Sequence, residues 1–314
     1  MEYHKHIAEV YKKIAPYIKK TPVLISSYFS QKVDGTLIFK CENLQYTNAF
    51  KLRGAFNKIT TITDKNKTIV AASAGNHGLA VAFAAKKFDM NAIVIVPEFV
   101  PQFRINMIRE LGAEVIVHGT TMDELNAKAA EYTKDPHFIY FHPFDDDDII
   151  AGQATVAYEL LQEIPDIDII IVPVGGGGLI SGISQYAKSF NPNILVYGVE
   201  TIGADAMYKS LEAGRIIALP KITSIAISLG ATKVAEKTFE IVKKNVTKIV
   251  TVTDEEAIRE LKDILEKEKL FVEPASSCAL SAVISGKIPH IKNKKIAVIL
   301  SGGNFSLEQL KTYL

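Results

Sequence analysis

Four consecutive glycines, Gly175 to Gly178, follow a six-residue apolar run (169–174, IIIVPV) and precede a segment with helical apolar spacing (179–190). No other stretch restricts the fold as much. A short, β-branched, uninterrupted run reads as a strand buried on both faces of a parallel sheet. The glycines therefore join the carboxyl end of a strand to the amino end of a helix. Glycine backbones take angles closed to other residues, so successive N–H groups can converge on an anion at the positive end of that helix. A plain strand-to-helix turn is the other reading, but such a turn usually needs one or two glycines.

The ligand is less sharply defined than the anion. Glu200 ends the next expected strand (194–200), about where dinucleotide folds keep a ribose-binding acid. The glycine spacing disagrees: counted from Gly175 the third glycine position is Ile180, and from Gly176 it is Ser181. A nicotinamide oxidoreductase stays open as an alternative.

With 314 residues, 48% hydrophobic and 23% charged, the chain can bury one large core or two smaller ones. Its 36 Lys plus Arg against 35 Asp plus Glu give a formal charge of +1, which favours neither a nucleic acid nor an anionic membrane. A small-molecule partner is expected. Cys41 and Cys278 are far apart and the histidines are scattered, so neither a disulfide framework nor a zinc motif is present. The first twenty residues carry five lysines and no apolar core, and no run reaches transmembrane length. These features lead to the expectation of a cytoplasmic, soluble protein.

Along the chain, residues 1–18 have the apolar period of a helix and 36–41 read as a strand. From 68 to 140, strands at 68–72, 91–96, 114–117 and 137–140 alternate with helices at 76–88, 101–111 and 122–133. They would form a small doubly wound sheet. Strands at 169–174, 194–199, 248–252 and 295–300 give the remainder a parallel sheet of its own. Asp145 to Asp148 precede a helix-like segment (149–161), where acids cap the helix and suit its dipole.

Lys51 opens a helix among small or apolar neighbours, Ala49, Phe50, Leu52, Gly54 and Ala55. Partial burial would lower its pKa, and a neutral amine can form a Schiff base with an aldehyde. An ordinary surface lysine is the alternative for Lys51 alone. A phosphate cradle together with an available amine points to pyridoxal phosphate. Ser73-Ala74-Gly75-Asn76-His77 follows a strand and begins a helix, which suits an amino-acid carboxylate, though alone it reads equally as a cap. Ser301-Gly302-Gly303-Asn304 puts a hydroxyl at a strand's carboxyl end.

Taken together, these stretches resemble the fold-type II pyridoxal-phosphate enzymes, and among them the serine and threonine dehydratases with their relative serine racemase. Glu42-Asn43-Leu44-Gln45 and Ala49 to Ala55 resemble the cofactor-lysine segment, Ser73 to His77 the substrate loop, Gly175 to Leu179 the phosphate loop, and Ser301 to Asn304 the pyridine-nitrogen segment. The resemblance spans almost the whole chain. It implies an α/β, two-domain fold like tryptophan synthase β, each domain an open, mostly parallel sheet flanked by helices. Residues 1–64 and 146–314 would form the large cofactor-binding domain and 65–145 the small one.

It also implies roles. Lys51 would hold the cofactor covalently, Phe50 would pack on its ring and Asn76 would bond the ring hydroxyl. Gly175, Gly176, Gly177, Gly178 and Leu179 would bind the phosphate, and Ser301 would meet the ring nitrogen. Ser73, Ala74, Gly75, Asn76 and His77 would bind substrate. Glu200 and Ala204 resemble part of the family's cation site, monovalent or divalent, although Ala206 offers no third side-chain ligand. The implied reaction is β-elimination from L-serine or L-threonine in a homodimer or homotetramer, with the cofactor's own phosphate as proton donor to the leaving hydroxyl.

The chain departs from the family pattern in places. Asn48-Ala49 replaces the usual Gly-Ser, and Ala74 stands where serine racemases carry a serine. Residues 219–224 and 272–275 resemble serine dehydratases, whereas Asn76-His77 and 150–153 resemble threonine dehydratases, so substrate preference stays open. Thirteen residues follow Ser301, too few for an appended regulatory domain. The remaining rivals are a β-replacement synthase, a racemase and a non-catalytic amino-acid sensor.

Overall fold

The computed structural model describes residues 3–73 and 75–313. Its strands are β1 (Val23–Ser26), β2 (Thr36–Cys41), β3 (Thr68–Ala72), β4 (Ala92–Val96), β5 (Glu114–Val117), β6 (Phe138–Tyr140), β7 (Ile169–Pro173), β8 (Leu195–Thr201), β9 (Lys248–Val252) and β10 (Lys295–Leu300). They form a six-stranded sheet in the order β1-β2-β10-β7-β8-β9 and a four-stranded sheet in the order β5-β4-β3-β6. Every pairing is parallel except β1 with β2.

The helices are α1 (Tyr3–Ile14), α2 (Ser27–Val33), α3 (Lys51–Ile59), α4 (Asn76–Lys87), α5 (Gln102–Glu110), α6 (Met122–Tyr132) and α7 (Asp147–Glu163). They continue as α8 (Gly178–Phe190), α9 (Ala206–Ala213), α10 (Glu236–Asn245), α11 (Asp254–Asp263), α12 (Pro274–Ile284) and α13 (Leu307–Lys311). Parallel strands need both faces covered, and the larger sheet shows why its strands are apolar throughout. Ile296, Val298 and Leu300 of β10 pack with residues of α2, α11 and α12, while Ala297 and Ile299 pack with residues of α1, α7 and α8. The period-two alternation of a strand thus supplies two cores from one segment.

Most elements fall where the apolar pattern puts them. Exceptions include β1 and α2, which intervene before β2, and the short α9, none of which the sequence pattern marked. Leu24 and Ile25 of β1 are exposed, so this antiparallel edge strand carries no buried face to read. The acidic run at Asp145 to Asp148 caps α7, with the Asp146 carboxylate accepting the N–H of Asp148 at 2.9 Å and of Ile149 at 3.1 Å.

Helix α3 joins the two sheets. Leu52, Ala55, Phe56 and Ile59 pack with β3 and α4 residues, while its opposite side meets α7. A Cβ on Gly152 would lie 2.6 Å from the Cα of Gly54, and one on Gly182 would lie 2.7 Å from the Ala154 nitrogen. Helices α3, α7 and α8 therefore touch backbone to backbone.

The same seam buries four charges. Arg53 of α3 is 0% exposed and forms a two-point ion pair with Glu42, Nε to Oε2 at 2.7 Å and Nη2 to Oε1 at 2.8 Å. It reaches Glu159 of α7 by Nη1 at 2.9 Å and Nη2 at 2.8 Å. Lys40 of β2 pairs with the same Glu159 and donates to the Thr21 carbonyl at 2.8 Å. Two cations and two carboxylates cancel, and their geometry satisfies the guanidinium fork. Burial pulls the Lys40 amine below its usual range, while the cations hold the Glu159 carboxyl down against its own burial. Replacing Glu159 by Gln leaves an uncompensated buried cation, so Glu159→Gln should lower unfolding free energy by about 3 kcal/mol in a denaturant titration.

Candidate active site

The carboxyl ends of β3, β6, β7 and β10 face a cavity of about 490 Å³, lined by Lys51, Asn76, the glycine loop and Ser301. Ligands gather at such strand ends in open parallel sheets. Backbone pairing brings the distant motifs together. Phe50 donates its N–H to the Ser301 carbonyl at 3.1 Å, Gly303 donates to the Asn48 carbonyl at 2.9 Å, and Ala49 bridges Gly302. Lys51, the next residue, opens α3 beside the Ser301 segment.

The Lys51 amine is turned inward and donates to the Pro143 carbonyl at 2.7 Å, with Nζ 5.2 Å from the centre of the Phe50 ring. Burial lowers its pKa from 10.5 to about 8. Across the cavity, Gly177 has φ of +92° and turns the chain into α8. The Thr238 hydroxyl donates to the Gly176 carbonyl at 2.8 Å. Because a trans peptide carries its N–H opposite its C=O, the Gly177 amide is aimed away from Thr238. Phe144 covers this loop so closely that a Cβ on Gly176 would lie 2.2 Å from its ring.

Comparison with known proteins decides the family. The model for "Pyridoxal-phosphate dependent enzyme" matches residues 14–302. The chain belongs to the pyridoxal-phosphate-dependent enzymes. It is 37% identical to L-threonine ammonia-lyase of Thermotoga maritima, over 97% of this chain and 76% of that one. It is 39% identical to serine racemase of Dictyostelium discoideum, over 99% and 97%. The solved structure of maize serine racemase superposes with a TM-score of 0.93 at 35% identity, covering 98% of this chain and 95% of that one.

The residues present fit the family's cofactor. An inward amine, a loop that excludes side chains, and a hydroxyl share one cavity, which gives an aldehyde, a phosphate and a ring nitrogen their separate partners. Ser301 Oγ lies 3.1 Å from Ser276 Oγ, and Ser276 also exchanges hydrogen bonds with the Gly302 backbone at 2.6 and 2.8 Å. Asn76 borders the cavity with its amide held by Glu273 and Asn304, each at 2.8 Å.

The substrate-loop residues are more divided. The Ser73 hydroxyl accepts the N–H of Gly75 at 3.1 Å and of Gly78 at 3.0 Å, a local cap on the start of α4. His77 lines the cavity, but its Nε2 is 2.8 Å from the Phe141 carbonyl, and burial pushes its pKa down to about 3. One ring nitrogen is thereby engaged, while the buried Nδ1 has no hydrogen-bond partner among the described residues. Ala74 lies outside the described residues.

Glu200 lies within β8 and Ala204 in the turn that follows it. Glu200 is 0% exposed, and its two carboxylate oxygens accept the N–H of Met207 at 3.1 Å and of Tyr208 at 2.7 Å. Burial raises its pKa to about 8. Among the described residues, no group of three or more His, Cys, Asp or Glu is placed to hold a metal ion. The same geometry removes the dinucleotide alternative, since a buried carboxylate facing α9 presents nothing to a ribose.

Several lining residues escaped the sequence reading, namely His142, Pro143 and Phe144 after β6, Leu229 to Ala235 and Glu273, as did Thr238 behind the glycine loop. For the first three a signal existed, because they follow an expected strand end. In the cofactor-free enzyme, the Lys51 amine should become reactive toward an acylating reagent as pH rises through about 8 rather than 10.5, since burial favours its neutral form. Peptide mapping of acylated Lys51 against pH would measure this.

Proposed function

We propose that the chain is a pyridoxal-phosphate-dependent dehydratase, an ammonia-lyase, acting on L-threonine and L-serine. The products are 2-oxobutanoate or pyruvate, each with ammonia. The observation that carries the reading is the shared cavity, in which a pKa-lowered lysine faces a glycine loop and a neutral hydroxyl. Relatives and solved structures named for threonine ammonia-lyase and L-serine ammonia-lyase support the reaction class.

When bound, pyridoxal phosphate supplies an aldehyde for the substrate amine and a ring that withdraws electrons from the α-carbon. The protein supplies the rest. Backbone N–H groups of Gly175 to Gly178 and Leu179 bind the phosphate at the start of α8. Lys51 Nζ takes the α-proton, its lowered pKa letting an amine act as base near neutral pH. Ser301 offers the ring nitrogen a hydroxyl rather than a carboxylate, which holds back protonation there and favours elimination over reactions that need a long-lived carbanion. The start of α4 receives the substrate carboxylate, and Phe144 shields the glycine loop from water. Loss of the α-proton and the β-hydroxyl amounts to loss of water and leaves an enamine, which takes up water to give the 2-oxo acid and ammonia.

Three outcomes test the proposal. The purified protein loaded with pyridoxal phosphate should form 2-oxo acid from L-threonine or L-serine, and absence of product from both would sink it. Product formed only with a second nucleophile would select a synthase instead. Lys51→Ala should abolish both turnover and the visible absorption of bound cofactor. Because a methyl group at Ala74 cannot transfer a proton, chiral chromatography should find little D-serine formed from L-serine.

A further inference from the structure

Glu273 has no part in the chemistry described so far, yet it is buried in the cavity wall at 3% exposure, immediately before Pro274 opens α12. Its Oε1 accepts the Nδ2–H of Asn76 at 2.8 Å. On the other side, Asn304 Nδ2 donates to Asn76 Oδ1 at 2.8 Å and to the Thr47 carbonyl at 2.8 Å. Four groups from four separate parts of the chain thus form one line: Thr47, Asn304, Asn76 and Glu273.

The polarity of that line is decided at its ends. A backbone carbonyl only accepts, so Thr47 requires Asn304 to present nitrogen. The second hydrogen on that nitrogen meets Asn76, which must then present oxygen. The Asn76 nitrogen is left facing Glu273, and a carboxylate only accepts. A side-chain amide otherwise has nearly the same shape either way round. Here the reversed amide would set oxygen against carboxylate and NH₂ against NH₂.

We infer that Glu273 is a positioning residue that locks the Asn76 carboxamide with its nitrogen toward Glu273, leaving the second Nδ2–H as the fixed donor for the cofactor's ring hydroxyl oxygen. The inference rests on the cofactor-binding role proposed above for Asn76. Without the lock, the amide could turn and offer oxygen to oxygen. The ring oxygen would then lose a donor that stabilises its anionic form.

Equilibrium binding of pyridoxal phosphate to the cofactor-free protein, with the absorption spectrum of the bound form, tests this in a double-mutant cycle. Glu273→Leu, which leaves no acceptor for the Asn76 nitrogen, should weaken binding about tenfold, the scale of one lost hydrogen bond to a charged group, and shift absorption from the visible toward the near-ultraviolet. In an Asn76→Ala background, Glu273→Leu should have almost no further effect on either reading. Equal effects in both backgrounds would overturn the positioning role while leaving that of Asn76 intact. Unchanged binding and spectrum in Asn76→Ala alone would overturn the cofactor role of Asn76 instead. Asn304→Asp, which puts an acceptor where the line needs a donor, should reproduce the spectral shift. It provides the decisive variant if Glu273→Leu does not fold, and an unshifted spectrum would then overturn the inference.

Discussion

The interaction on which the rest of the structure depends is the two-point grip of Arg53 on Glu42. It holds the carboxyl end of β2 against α3, and through Glu159 it extends the grip to α7. Lys40 adds the Thr21 segment to the same cluster. A charged cluster of this kind is a poor source of net stability, because desolvation offsets most of the Coulomb gain. What it contributes is alignment, since a guanidinium fork accepts its partners in few orientations. Lys51 lies two residues earlier on the same helix, so the direction of the reactive amine is set by ions that never meet a ligand.

From that anchor the site assembles through strand ends. Pairing of β10 with both β2 and β7 puts the Ser301 segment between the lysine segment and the glycine loop. The smaller sheet contributes α4 from β3 and the His142–Phe144 turn from β6. Each motif is local in sequence, and only the strand order makes the motifs neighbours. The same order explains why the site lies between two sheets, with Lys51 bonded to Pro143 across the gap.

Legibility in the sequence followed the range of the physics. The glycine loop, the strands buried on both faces and the helix opened by Lys51 were readable because a strand, a turn and a helix start are all local events. The acid run before α7 was readable for the same reason. β1 was not, since Leu24 and Ile25 are exposed and its only structural cue is pairing with β2. Glu159 looks like any mid-helix acid until Arg53 and Lys40 arrive from more than a hundred residues away. Glu200 was ambiguous because its partners, the amides of Met207 and Tyr208, belong to a short helix that the apolar pattern does not announce. His77 was assigned toward the substrate by its motif, and its contact with the Phe141 carbonyl, 64 residues away, could not be read there. Thr238, Phe144 and Glu273 come from elements whose own patterns concern only packing.

The glycine contacts among α3, α7 and α8 bear on what can vary in such a protein. Gly54 against Gly152, and Gly182 against Ala154, bring three helices to the closest spacing that backbones permit. Lys51 begins the first of these helices and the glycine loop leads into the third. The span from the Lys51 main chain to the glycine loop is therefore set by main-chain contacts rather than by side chains packed between the helices. The turns that carry Phe144 and residues 229–235 line the same cavity and can be rebuilt while that span stays constant.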